Sequence, residues 1–419
     1  MNHALLTSVR VIESSAFVAA PLAGLTLAQF GADVIRIDPI GGGMDYGRLP
    51  VMPGGRSLYW TGLNKSKRSL AVDLRRPEGR ELIQELAAAT GVLLTNIPTS
   101  WLSHAVLAKR RPDVITCTIS GNADGSTAVD YTVNCATGYP AITGGGSLDA
   151  PVNNVVPAWD FACGYQAAFA VLAAFENRQR TGEGAELKIA LSDVAFCALS
   201  HLGLLAEVEL LGRERESIGN DIYGAFGRDF ATADGRRIMI AAISAGQWQA
   251  LVEACDAAAT LAQLESSLGL AFRKEADRYA ARDSIARVIA SWCAARPLAE
   301  ITRVFDQHRV CWGLYRTVGD LLANDPRVSA AAEVFEPIET AGVGRHLAAG
   351  TPVRIGARPR GAIRPAPLVG QHTDEVLQDV LGLDSAAVGR LHDARIVAGA
   401  DLDPTAINAA GATARERAV

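Results

Sequence analysis

The chain has 419 residues, 49% of them apolar, and 45 acidic against 40 basic side chains give a net charge of −5. That length accommodates two hydrophobic cores, or one large domain carrying an insertion, while the mild acidic balance and scattered basic residues leave no electrostatic footprint for nucleic acid. No apolar run reaches the ~20 residues that cross a bilayer, no secretory leader pattern opens the sequence, and seven dispersed cysteines without a CxxC pair read as reduced thiols, so a cytoplasmic protein without membrane contact is expected.

The first 120 residues alternate strand and helix signals. VRVIES (9–14) reads as a buried strand, APLAGLTLAQFGA (20–32) as a helix ending near Gly31, and DVIRID (33–38) as the next strand. After a glycine-rich loop come the strand RSLAVDL (68–74) and the helix PEGRELIQELAAAT (77–90). The strands GVLLTNI (91–97) and DVITCTIS (113–120) follow, with a helix expected around 101–111 between them. Short β-rich runs alternating with helices imply a parallel sheet covered on both faces. Residues 159–212 look helical, broken by TGEGAELKIAL, a turn and a short strand. From 219 the texture changes to two strands joined by an Asp234-Gly235 turn, then to helical segments from 247 to about 324. After Pro326 the chain is strand- and loop-rich, and it closes on the helix HTDEVLQDVLGL (372–383), whose Thr373 is a candidate cap. The fold class expected is α/β: a Rossmann-like parallel-sheet large domain over 1–221 and 326–419, with a smaller α+β domain inserted at 222–325.

A strand, a helix and a second strand ending in Asp38 make the Rossmann outline. The first turn reads SSAFVAAP, however, without the glycines that let a backbone approach a pyrophosphate, which argues against a nicotinamide cofactor. The loop PIGGGMDYGR (39–48) lies where open α/β sheets bind ligands. Lys65, Lys67, Arg68, Arg75 and Arg76 cluster around one strand, either as a solvated face or as cations for a phosphate-bearing ligand such as coenzyme A. The seven histidines show no metal-ligand spacing, and no GxSxG elbow is present. Cys163 lacks a neighbouring base or cation and reads as a core thiol. Asp160 stands between Trp159 and Phe161 at the start of an apolar helix, with no acidic neighbour downstream until Glu176. Taken alone, it is also what a helix dipole favours at an N-terminus.

PAWDFACGYQAAFAVLAAFENRQRTGEGAELKIAL resembles the active-site segment of the class III coenzyme A transferases: an Asp, a small-residue helix, then R…TG.G and a strand. GLTLAQFGADVIRID, NKSKRSLAVDLRRPEGRELIQEL and LVGQHTDEVL resemble further motifs of that family, so the likeness spans essentially the whole chain. Several stretches are most similar to a branch that exchanges CoA between the two carboxyls of a single dicarboxylate.

The resemblance implies that Asp160 is acylated and then carries CoA as a thioester. It also implies an interlocked homodimer and no permanently bound cofactor, coenzyme A entering as the acyl-CoA substrate. Asp160, with the ordinary pKa near ~3.9, would be ionised at neutrality and need no general base; Trp159, Phe161 and Ala162 would keep water from the anhydride. By alignment, Val72, Arg75, Asn96 and Ile97 fall where the family holds adenosine and phosphates, Arg36 lies close to them, and Ala16, Phe17 and Val18 are further candidates for nucleotide contact. Ala16-Phe17-Val18 replaces a His-Val-Gln run, so only backbone contacts are expected there. Val129, before Asp130, replaces the histidine of the racemase branch, which removes one base of a two-base proton exchange. For the free carboxylate of a diacid, Arg48, Tyr223 and Arg228 are candidates, as cations or a hydroxyl in glycine-flanked loops.

Overall fold

The computed structural model describes residues 3–143, 148–356 and 360–406. The chain divides into two compact units, one made of 1–137, 154–206 and 326–419, the other of 138–153 and 207–325.

The first unit is built on a seven-stranded sheet. Its strands are β1 (Arg10–Ser14), β2 (Asp33–Pro39), β3 (Arg68–Val72), β4 (Val92–Thr95), β5 (Ile115–Ser120) and β6 (Ala185–Ala190). They run parallel in the order β3-β2-β1-β4-β5-β6. That is the doubly wound order whose direction of winding reverses between β1 and β4, and ligands settle at such a reversal, beyond the carboxyl ends of the strands. The short strand at Val397–Ala398 adds antiparallel to β3. β1 to β5 are buried almost throughout, as a sheet covered on both faces requires.

The local signals are readable. The helix Pro77–Thr90 has proline at its start and ends on Gly91 at φ +73°, a left-handed cap that favours glycine. Around 101–111, where one helix was expected, only a 3-10 turn at Ser100–Leu102 and a single turn at His104–Leu107 form. Thr373 does not cap the helix Thr373–Leu381. It is the first helical residue, and its hydroxyl donates to the Ala398 carbonyl and accepts from the Ala71 amide, so it ties the last strand to β3.

Two helices matter most for the site: α1 (Ala19–Gln29), which follows β1, and the 24-residue α3 (Ala158–Thr181), which follows the short α2 (Asp130–Cys135). α3 is long and apolar enough, at mean hydropathy 1.2, to match a membrane span by composition. Here it packs along α1 and β5. A Cβ on Gly164 would lie 2.8 Å from the Ala19 carbonyl oxygen, so the two backbones approach as closely as glycine allows.

The second unit holds the antiparallel strands β7 (Phe226–Ala231), β8 (Arg237–Ala242) and β9 (Cys311–Leu314). The Asp234-Gly235 turn joins the first two, with Gly235 at φ +74°. β9 interrupts what reads in sequence as a helical stretch. Helices from 245 to 308 pack on this sheet around Phe226, Trp248, Phe272, Ile289 and Phe305.

Candidate active site

Beyond the carboxyl ends of the paired strands β1 and β4, where the winding reverses, a cavity of about 500 Å³ opens. Its lining includes Phe17 after β1, Asn96 after β4, Ser120 after β5, Arg48 and Tyr59 from the 39–63 connection, Asp130 at the head of α2, and Asp160 in the first turn of α3. Each of these residues belongs to the first unit.

The turn after β1 is held by side chains rather than glycines. Asn96 clamps residue 16 from both sides: its Oδ1 accepts from the Ala16 amide at 2.9 Å, and its Nδ2 donates to the Ala16 carbonyl at 2.7 Å. Phe17 sits at φ +62°, a left-handed conformation uncommon for a bulky residue. Asp45 Oδ2 accepts its amide at 2.9 Å and holds it there. Asp45 is in turn gripped by Arg36, whose fully buried guanidinium also meets Asp38 at 3.0 Å and Glu13 at 3.5 Å. Burial disfavours the Arg36 charge, but the three carboxylates outweigh it and hold its pKa above the ordinary value. Lys67 shares Glu13 at 2.8 Å, and burial brings it down to about 8. A buried ionic cluster beneath the sheet edge thus fixes one wall of the cavity.

Arg48 forms part of that wall. Its guanidinium lies 5.5 Å from the centre of the Phe17 ring and 5.2 Å from that of Tyr59, two aromatic faces that attract a cation. Among the described residues it makes no salt bridge.

Asp160 is positioned from α2. Asp130 Oδ2 accepts from the Trp159 amide at 2.7 Å and the Asp160 amide at 3.0 Å, which satisfies two of the orphan donors at the start of α3. One turn further along α2, Asn134 Oδ1 accepts from the Trp159 indole at 3.0 Å and turns that ring inward. The carboxyl of Asp160 is pushed up to about 7, first by burial and then by the charge of Asp130, with Arg48 working against both. The ordinary carboxylate pKa expected from sequence does not hold, because the fold buries the carboxyl and, second to that, sets a carboxylate from thirty residues upstream beside it. Cys163, one turn on, is fully buried and pushed up to about 12 by burial and then by Asp160, so no thiolate is available there at neutral pH.

The other candidates separate. Ala16 and Val18 are buried behind Phe17, and Val72 is fully buried within β3. Arg36 is committed to its three carboxylates with no exposed surface, so its side chain reaches no ligand. Arg75, just past the carboxyl end of β3, is exposed and folds back on Asp73 at 2.8 Å. Ile97 is half-exposed beside Asn96. Tyr223 and Arg228 belong to the second unit: Tyr223 donates to Glu207 at 2.7 Å, and Arg228 pairs with Asp221 and Asp283 at 2.5 and 2.9 Å. Trp159, Phe161 and Ala162 do not line the cavity, because successive helical residues point about 100° apart; Pro157, Ile119 and Leu191 supply the apolar lining instead. Tyr59 and the acid function of Asp130 escaped the sequence reading. The only cue to Asp130 was its place directly after Val129.

The description CoA-transferase family III matches residues 6–373 of the chain. The chain belongs to that family of coenzyme A transferases. It is 48% identical to 2-methylfumaryl-CoA isomerase of Chloroflexus aurantiacus, over 95% of this chain and 98% of that one. It is 27% identical to succinyl-CoA–D-citramalate CoA-transferase of the same organism, over 94% of this chain and 98% of the relative. The crystal structure of a CaiB/BaiF family protein from Brucella suis superposes with a TM-score of 0.73 at 23% identity, covering 91% of this chain and all of that one.

Proposed function

We propose that this enzyme moves coenzyme A between the C1 and C4 carboxyls of mesaconate, converting 2-methylfumaryl-CoA to 3-methylfumaryl-CoA through an aspartyl-CoA intermediate on Asp160. The carrying observation is a carboxylate of raised basicity facing a cavity whose other wall holds an arginine without a salt bridge. The 48% relative named for this isomerisation supports the substrate.

Ionised Asp160 attacks the thioester carbonyl; the C–S bond breaks, CoA thiolate leaves, and a mixed anhydride remains. The thiolate then attacks the Asp160 carbonyl, breaking the anhydride C–O bond and freeing the diacid. The released diacid turns, and its other carboxylate attacks the aspartyl thioester and expels the thiolate. The thiolate closes the cycle by attacking the substrate side of the second anhydride, which restores the Asp160 carboxylate. No electrons change hands and no proton must be moved. Arg48 binds whichever substrate carboxylate is free, as a bidentate charge-assisted partner. CoA enters as substrate, its nucleotide running along the sheet edge toward Arg75 past the exposed residues Phe17 and Ile97.

Incubation with 2-methylfumaryl-CoA as sole substrate should yield the C4 thioester, and Asp160→Asn should leave less than a few per cent of that activity. Absence of product without an added acid would remove this reading. The alternative is transfer to a separate carboxylic acid, as the names of the 25–27% relatives describe for those proteins. It predicts incorporation of labelled succinate. The working protein is further proposed to be a cytoplasmic, interlocked homodimer. Seven free thiols suit a reducing compartment. The exposed rings of Phe161, Tyr165 and Phe169, four residues apart on one face of α3, offer apolar surface to a second copy. Sedimentation equilibrium reads the mass directly.

A further inference from the structure

Asp130 is 2% exposed, yet it lines the same cavity as Asp160. One of its oxygens is spent on two amides of α3. The other, Oδ1, is buried without a hydrogen-bond partner. No cation compensates it: among the described residues Asp130 forms no salt bridge, and burial, offset only by those two amides, pushes its own carboxyl upward. An orphaned buried carboxylate oxygen costs stability. Holding the first turn of α3 does not require that cost, since serine, threonine or asparagine accepts the same amides without a charge. What only an acid supplies is a negative charge beside Asp160. The titratable and charged groups facing Asp160 are few: Asp130 from α2, Arg48 and Tyr59 from the 39–63 connection, and Cys163 on its own helix. Among them, Asp130 is the group whose charge works against the ionised form, second to burial in raising the Asp160 carboxyl.

We propose that Asp130 is a positioning residue for the transfer, fixing the first turn of α3 through two amides and standing as a like charge beside Asp160, so that acylation relieves a repulsion the resting carboxylate bears. This rests on Asp160 being the acylated group. Every acyl form of Asp160, anhydride or thioester, is neutral, and so is the protonated acid. The interaction that lifts the titration of Asp160 therefore favours the acyl forms over the carboxylate by the same factor. Arg48 tempers the effect and keeps enough of the nucleophile ionised.

The test uses Asp130→Asn and Asp130→Ser, which both keep an acceptor for the amides and lose the charge. Asp160 is labelled with a water-soluble carbodiimide and a small amine from pH 4 to 9, and the modified peptide is quantified by mass spectrometry; this reads protonation without turnover. In the unaltered enzyme labelling should fall away around pH 7. In the variants the midpoint should drop by about one pH unit or more. The steady-state fraction carrying an adduct on Asp160 should fall roughly tenfold, the equivalent of one such unit. Asp130→Glu, which restores charge, should return the midpoint toward that of the parent. An unmoved midpoint in the folded variants overturns the proposal. So does failure of both to fold, because an acceptor alone should then have sufficed. If the parent never shows an adduct on Asp160, the transfer mechanism fails, while the labelling midpoint still reports on the pair.

Discussion

At the scale of single residues, the proposed chemistry turns on two carboxylates and one guanidinium that line one cavity, from 48, 130 and 160. On the proposed mechanism Asp160 attacks as the anion, and with its carboxyl pushed up to about 7, kcat/KM should rise with pH through neutrality and level off above it. An acid limb near pH 4 in the pH–rate profile would contradict the assignment. The same shift has a stability consequence of opposite sense to the usual acid. A carboxyl whose folded pKa exceeds its unfolded value binds more protons in the native state between about pH 4 and 7, so its contribution weakens as pH rises through that window. Asp160→Asn should therefore melt higher than the parent at pH 8, with the gap closing at pH 5. Arg48→Gln should remove the proposed charge-assisted contact to the free carboxylate, worth roughly 1.5–3 kcal/mol, so kcat/KM for the diacid thioester should fall about ten- to a hundredfold. A change below threefold would place the carboxylate elsewhere.

At the scale of elements, the site depends on how closely α3 lies on α1. Gly164 is one turn beyond Asp160, and a methyl there meets the Ala19 carbonyl at 2.8 Å and Leu22 at 3.1 Å. Gly164→Ala should cost on the order of 1–3 kcal/mol by overpacking, read as a lower urea midpoint, and should reduce kcat more than it changes KM because Asp160 is displaced. α3 was legible in sequence as the helical run that breaks at TGEG, and the structure ends it on Gly182 at φ +79°. The region 101–111 was not, since its apolar residues serve a 3-10 turn and a single helical turn against the sheet. β9 was missed because four residues with a glycine among them carry little strand signal, and its pairing with β8 is decided over seventy residues of intervening chain. The basic cluster shows the same limit. Lys67, read in sequence as either a solvated cation or a phosphate ligand, and Arg36, placed near the nucleotide by the family resemblance, both face buried carboxylates.

At the scale of the whole molecule, each unit has its own core, and the ionic cluster sits inside the first. Arg36→Leu would strand Glu13, Asp38 and Asp45 without their common cation. Removing one partner of a buried pair costs roughly 3–5 kcal/mol, so this variant should unfold at much lower urea or accumulate as aggregate. Arg75→Ala touches only an exposed pair, and should leave the urea midpoint unmoved while raising KM for acyl-CoA.

Alternating strand and helix signals, with motifs spread from the first helix to the closing one, were sufficient to establish from sequence the α/β class, the strands β1–β6 and the coenzyme A transferase family. Those features are local, or are copied intact along the chain from one relative to another. Which of the candidate residues share a cavity, and what charge they carry there, was decided only by the tertiary structure. Burial and the approach of Asp130 to Asp160 depend on contacts across thirty to over a hundred residues. Electrostatics is set by such distances in space, which spacing along a chain does not encode.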